Sequence, residues 1–210
     1  MDKLLIFPCN GNAVEALDCA AGQFEVIGFV DDDPEKTGVH RSGVNVYGRS
    51  LIEKYPEAKV LAVPGSPRTF GMRKRAIDSL NLPPARFARV IHARATISPM
   101  AVLGYNILIM AGVVITSNAE IGNHICILPN TVVHHDSAIE DYCLIGSNIT
   151  IAGYTKVQAN CYIGSGSNII NGIVVGRNSL IGLGTNVIKS IPDSSIAVGN
   201  PARITGTTGV

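Results

Sequence analysis

Between residues 97 and 187 an aliphatic side chain returns every six residues without a miss: Ile97, Leu103, Ile109, Ile115, Ile121, Ile127, Val133, Ile139, Ile145, Ile151, Val157, Ile163, Ile169, Val175, Ile181 and Val187. Six is a multiple of the strand period of two, so every one of these side chains points to the same side. Six does not match the 3.6-residue helical turn, which excludes a helix over this span. Two positions before the aliphatic a small or β-branched residue is common, as at Ala95, Ala101, Val113, Ala119, Thr131, Ser137, Cys143, Thr155, Cys161, Ser167, Ser179 and Thr185. Glycine often follows it, as at Gly104, Gly122, Gly146, Gly164, Gly176 and Gly182. Three such hexads close one triangular coil of eighteen residues, and each coil satisfies the backbone of the next by parallel pairing. The aliphatic fills the interior and the small residue fits the narrow remainder. The register has no break, so no long loop interrupts the coils.

The first 90 residues follow a different pattern. Strands are expected at Lys3–Phe7, Phe24–Val30 and Lys59–Val63, with helices at Ala13–Ala21, Leu51–Tyr55 and Arg68–Leu80. Strand alternating with helix predicts a small parallel α/β domain of Rossmann-like kind. The chain therefore divides into an α/β domain, 1–90, and a parallel β-helix with a C-terminal tail, 91–210. A net charge of +1 carries no basic field for nucleic acid. No apolar stretch approaches a membrane span, and Pro8 ends the short run Leu4–Phe7 before it reaches signal-peptide length. The five cysteines form no C-x-x-C pair, and reduced thiols of a cytoplasmic protein are expected.

Candidate chemistry lies where the repeat turns polar. In Val133-His134-His135-Asp136-Ser137, Val133 points inward, His134 points outward, and His135 and Asp136 fall at a turn. A carboxylate beside an imidazole fixes its tautomer and favours the imidazolium, the arrangement of a general base. In the α/β domain the loop Asn10-Gly11-Asn12 precedes a helix N-terminus that can receive phosphate. Asp31 and Asp32 end the second strand, where a carboxylate can accept from a ribose or base, and Pro64-Gly65 follow the third. His40 falls in a polar loop, His92 at the domain joint, and His124 at a turn where it is expected to be solvated. Exposed Ile170, Ile173 and Val174 on one coil face predict a homotrimer.

Over nearly its whole length the chain resembles the NeuD/PglD-type family of bacterial sugar acetyltransferases. The resemblance rests on the α/β domain with Phe29-Val30-Asp31-Asp32, the joint Ile91-His92 and Ile97-Ser98-Pro99, the hexad run, the His135-Asp136 pair and the tail Gly199-Asn200-Pro201-Ala202-Arg203. It implies a left-handed β-helix, which the period alone does not show. It also implies trimers with acetyl-coenzyme A lying between coils of adjacent subunits. The implied activity is N-acetylation of a nucleotide-linked 4-amino-4,6-dideoxy sugar, with UDP or dTDP favoured and GDP and CMP open, or else O-acetylation of the sialic acid type. The family's base falls on His135 and its acidic partner, commonly Glu, on Asp136. A position that often carries a second His near the thioester falls on Leu144, and positions near the coenzyme fall on Gly153, Ser165 and Leu183. Of the family's Gly-rich turn, G-x-S-G-H-G, only Gly11 is kept in Pro8–Ala13. No metal is implied: the zinc-binding β-helix of γ-type carbonic anhydrases uses two His ligands five residues apart, and this chain has no such pair.

Overall fold

In the computed structural model, which describes residues 1–210, the chain starts as an α/β domain and runs without a linker into a left-handed parallel β-helix. Strand β1 (Asp2–Phe7) lies parallel to β2 (Phe24–Val30) on one side and to β5 (Lys59–Ala62) on the other. Helix α1 (Gly11–Ala20) starts where Asn10 caps it, its side chain accepting from the Ala13 N–H at 2.9 Å. The buried face of α1 is small (Ala13, Ala16, Cys19 and Ala20), which allows close approach to the first β-helix strands.

The sheet is not wholly parallel as expected. A hairpin of β3 (Gly38–Val39) and β4 (Asn45–Tyr47) adds an antiparallel edge, giving the order β3-β4-β2-β1-β5. His40 sits in its turn, donating from its backbone N–H to the Val44 carbonyl. Helix α2 spans Ser50–Lys54. The helix expected from Arg68 is shorter. Thr69 N–H bonds back to the Ser66 carbonyl and the two side-chain hydroxyls pair at 2.9 Å, so the chain turns there and helix α3 runs only Arg73–Asp78.

Strand β6 (Arg89–Ile91) already pairs with Ile107–Ile109, the first full coil. From there each strand pairs in parallel with the one eighteen residues on, for example Val114–Val132–Thr150–Asn168–Asn186 along one wall. The hexad aliphatics form one continuous core. The small polar residues beside them are also buried, and each bonds to a carbonyl fifteen residues later: Thr131 to Gly146 at 2.7 Å, Ser137 to Ala152 at 2.9 Å, Thr155 to Ile170 at 3.0 Å, Ser167 to Gly182 at 2.9 Å. Cys143 and Cys161 do the same with their thiols, to Gln158 and Gly176. All five cysteines are free and buried.

One wall is apolar on both faces. Its outward residues Leu108, Cys126, Leu144 and Tyr162 lie in register and pack with Leu4, Ile6 and α1 of the α/β domain in a second core. The other two walls are open. Ile170 and Val174 are exposed there as expected, whereas Ile173 is partly buried against the coil core. At the far end Ser195–Val198 extends the covered wall and folds back antiparallel with Arg203–Thr207, capping the last coil.

The corners obey a second hexad rule. From 106 to 184 every sixth residue has a left-handed backbone: Asn106, Gly112, Asn118, His124, Asn130, Asp136, Tyr142, Asn148, Tyr154, Asn160, Gly166, Gly172, Asn178 and Gly184. Asn, Asp and Gly adopt this conformation most easily. The bulky exceptions, His124, Tyr142 and Tyr154, carry strain that something else must offset.

Candidate active site

His135 and Asp136 form the turn between strands Val132–Val133 and Ala138–Ile139. Asp136 occupies a left-handed corner, φ 57°, which swings its carboxylate back over the preceding residue. Its Oδ2 lies 2.7 Å from His135 Nδ1. Its Oδ1 accepts from Asn118 Nδ2 at 3.0 Å, from the same corner one coil earlier. These two bonds, His135 first and Asn118 second, hold the Asp136 carboxyl below its ordinary pKa. An ionised carboxylate only accepts, so the Nδ1 proton belongs to His135, and in the neutral ring the lone pair lies on Nε2.

One coil later, Gly153 lies under the imidazole. A Cβ there would stand 2.8 Å from His135 Cε1 and 2.9 Å from Nε2, so the ring can occupy this position only because residue 153 has no side chain. Beside it, Tyr154 meets the imidazole in a T-shaped arrangement, with centroids 5.2 Å apart and planes at 86°. The bulky Tyr154 is itself at a left-handed corner, φ 59°. The imidazole is about half exposed. His134 is half-buried on the outward side of its strand and forms no side-chain hydrogen bond within this cluster.

Of the positions implied for the coenzyme, the structure brings only Gly153 to His135. Ser165 and Leu183 stack at a different corner, where the Gly184 N–H bonds to the Ser165 carbonyl at 2.9 Å; the Ser165 hydroxyl accepts from Ser147 N–H at 3.0 Å and Leu183 is exposed. Leu144 is on the covered wall, closed off by Gly65 of the α/β domain, and presents no surface to a coenzyme within this chain.

In the α/β domain the implied residues gather around the Pro8–Asn12 loop, with most of their polar groups already engaged. The Asn10 side chain caps α1 and donates to the Val63 carbonyl at 3.1 Å. Asp31 is buried; it accepts from Cys9 N–H at 2.9 Å, from Asp33 N–H at 3.0 Å and from Lys36 Nζ at 2.9 Å, and so fixes the loop. Asp32 is held by two bonds from Arg49, at 2.6 and 2.7 Å. Gly11 and Asn12 open the first turn of α1, with free space around Gly11. Pro64 and Gly65 line a cleft of about 330 Å³ with Pro8, Asn10, Ser66, Thr69 and Arg73. Across the loop a basic cleft of about 400 Å³ is lined by Cys9, Lys36, Val39, His40 and Arg41. Sequence reasoning missed the basic residues here; the hairpin that carries His40 and Arg41 has only five strand residues and leaves little pattern.

His124 is a correction. It is buried, not solvated. Its ring stacks on Tyr142 (4.6 Å, 12°), meets Phe87 and Tyr105 edge-on, and lies 3.0 Å from Asn106 Nδ2. Its carbonyl accepts from Arg73 Nε and Nη2 at 3.3 and 2.8 Å, while Arg73 Nη1 donates to the Pro64 carbonyl. Burial, then the Arg73 charge, push the His124 pKa down to about 4. This cluster joins the two domains and occupies a different corner of the coils, the column of Asn106, His124 and Tyr142, from that of Asp136.

No cluster of His, Cys, Asp and Glu is placed to share a metal ion, and no helix is long and apolar enough to cross a membrane. No protein-family model matches the chain, and no curated protein matches it by sequence. Solved structures do match. PerB from Caulobacter crescentus, in complex with CoA and GDP-perosamine, is 27% identical with a TM-score of 0.85, covering 98% of each chain. The acetyltransferase domain of PglB from Neisseria gonorrhoeae, in complex with acetyl coenzyme A, is 24% identical with a TM-score of 0.85, covering 96% of this chain and 98% of that one. WeeI from Acinetobacter baumannii is 23% identical with a TM-score of 0.84, covering 97% of this chain and 99% of that one. The two-domain architecture is thus that of NeuD/PglD-type hexapeptide-repeat acetyltransferases from end to end.

Proposed function

We propose that this chain, an acetyl-CoA-dependent hexapeptide-repeat acetyltransferase in its architecture, acetylates the amino group of a nucleotide-linked 4-amino-4,6-dideoxy sugar. The observation that carries the reading is the 2.7 Å approach of His135 Nδ1 to Asp136 Oδ2, which favours the proton on Nδ1 and leaves Nε2 for the substrate. Nε2 takes a proton from the sugar amine as the nitrogen attacks the thioester carbonyl. The tetrahedral adduct collapses, the carbon–sulfur bond breaks, and the thiolate of coenzyme A leaves and is protonated by the imidazolium. No covalent enzyme intermediate is needed when both substrates are held together. Leu144 is buried at the domain interface and offers nothing to the thioester within this chain, so backbone donors polarise the carbonyl. The Gly153 N–H, which bonds to no acceptor in the chain, is the donor beside His135.

The clefts on either side of the Pro8–Asn12 loop, one with Asn10, Pro64 and Gly65 and one with Lys36, His40 and Arg41, suit the nucleotide diphosphate. The 27% likeness to an acetyltransferase solved with GDP-perosamine puts GDP beside UDP and dTDP as the nucleotide. The assembly is a homotrimer that covers exposed Ile170, Val174 and Leu183.

The test is a panel of UDP-, dTDP- and GDP-linked 4-amino sugars with acetyl-CoA, the product analysed by NMR. An acetamide at C4 supports the proposal. Acetyl ester formed on a hydroxyl, with the amine untouched, sinks it in favour of O-acetylation of the sialic acid type.

A further inference from the structure

Asp136 has two carboxylate oxygens and two close partners, with Tyr154 adding a weaker hydrogen-bonding contribution. Oδ2 meets His135 Nδ1 at 2.7 Å, and Oδ1 meets Asn118 Nδ2 at 3.0 Å. Asn118, Asp136 and Tyr154 stand eighteen residues apart, at the same corner of three successive coils, all with left-handed backbones, φ 58°, 57° and 59°. A short carboxylate on an exposed corner is free to rotate about its side-chain bonds. A bond to Oδ2 alone leaves that rotation open, while a second bond to Oδ1 from a neighbouring coil fixes the carboxylate plane. The rigid ladder of parallel coils sets the height of Asn118 under Asp136, and the Tyr154 ring stands perpendicular to the His135 ring, with centroids 5.2 Å apart.

We infer that Asn118 is a positioning residue for His135, acting through Asp136: its amide holds the carboxylate in the plane that keeps the proton on His135 Nδ1 and Nε2 free. The inference rests on His135 as the base of the proposed acetyl transfer, yet its structural half is observable without turnover. Asn118 is not part of the hexad core and contacts the reacting atoms only through Asp136, so sequence pattern assigns it nothing beyond a corner.

The test uses Asn118→Gly in the full chain. Glycine holds the equivalent corner at 112, 166, 172 and 184, so this variant removes the amide and keeps the turn; equal melting temperature checks the fold. First, ¹⁵N NMR of the His135 imidazole reads the tautomer: the wild type shows Nδ1–H, and Asn118→Gly shifts population toward Nε2–H. Second, at saturating substrates Asn118→Gly lowers kcat about five- to tenfold with both KM values unchanged, and has no further effect on Asp136→Gly, because neighbours that act as one unit are not additive. An unchanged tautomer in Asn118→Gly overturns the inference whatever the activity. So does an equal fold-loss of kcat in the wild-type and Asp136→Gly backgrounds, which marks a merely structural corner. A tautomer that shifts in a protein that acetylates no amino sugar leaves the positioning role standing and refutes the proposed reaction instead.

Discussion

Gly153→Ala isolates the placement of the imidazole from its chemistry. Gly153 does not lie at one of the positive-φ glycines, so alanine meets no backbone strain. Its methyl would stand 2.8 Å from His135 Cε1, 2.9 Å from Nε2 and 3.2 Å from the His135 carbonyl oxygen. Ordinary carbon–carbon contact is about 3.5–4.0 Å, so the ring must retreat by roughly 0.7 Å or more. The ring is half exposed and can swing outward, which keeps the cost in stability below the ~1–3 kcal/mol of an overpacked core. The 2.7 Å bond to Asp136 cannot survive such a swing unchanged, and Nε2 moves from its place beside Gly153. Misplacement of a reacting group by about 1 Å costs on the order of 10²-fold. Coenzyme A thiol release should therefore fall about 10- to 100-fold in kcat, with the melting temperature nearly unchanged. Wild-type kcat in a Gly153→Ala protein would refute the claim that the base works from the position seen here.

The remaining expectations concern separate parts of the molecule. Asp136→Gly, which keeps the left-handed corner and removes the carboxylate, should reduce kcat less than loss of His135 does, since it orients the imidazole without touching substrate; equal losses in kinetic assays would contradict that. Because His124 is held neutral down to about pH 4 from an ordinary 6.5, the unfolded chain binds more protons between those values. Stability is then complete above about pH 6.5 and falls as pH drops toward 4, by on the order of 2 kcal/mol after screening; denaturant melts should show this slope in the wild type and lose it in His124→Asn. Ile170→Glu should convert a trimer by light scattering into monomers, and a wild-type monomer at micromolar concentration would rule out the assembly.

How much of this was readable from the residues follows from what each feature depends on. The coils were legible because Ile97 to Val187 repeat a local rule, and the buried Thr131, Ser137 and Cys143 follow the same rule. The corners were legible in principle: Asn106, Asn118, Asn130, Asn148, Asn160 and Asn178 recur at multiples of six, and that column would have marked Asp136 and Tyr154 as neighbours of Asn118. His124 misled because its position is a corner, which usually faces water, while its burial depends on Phe87 and Arg73 from the other domain. Asp31 and Asp32 read as ligand-facing carboxylates at a strand end; their engagement with Cys9, Lys36 and Arg49 is set by how the loops fold back. Leu144 looked like a loss at the active site, but its place on the covered wall makes it part of the domain interface. Periodic neighbours were thus readable, and partners brought by tertiary folding were not.

The central claim is that His135 is the base, and His135→Ala tests it most directly. With the cognate nucleotide-linked amino sugar and acetyl-CoA both saturating, its kcat should fall about 10²–10⁴-fold, the range of a lost general base, with both substrates still bound. Near wild-type turnover under those conditions would contradict the account.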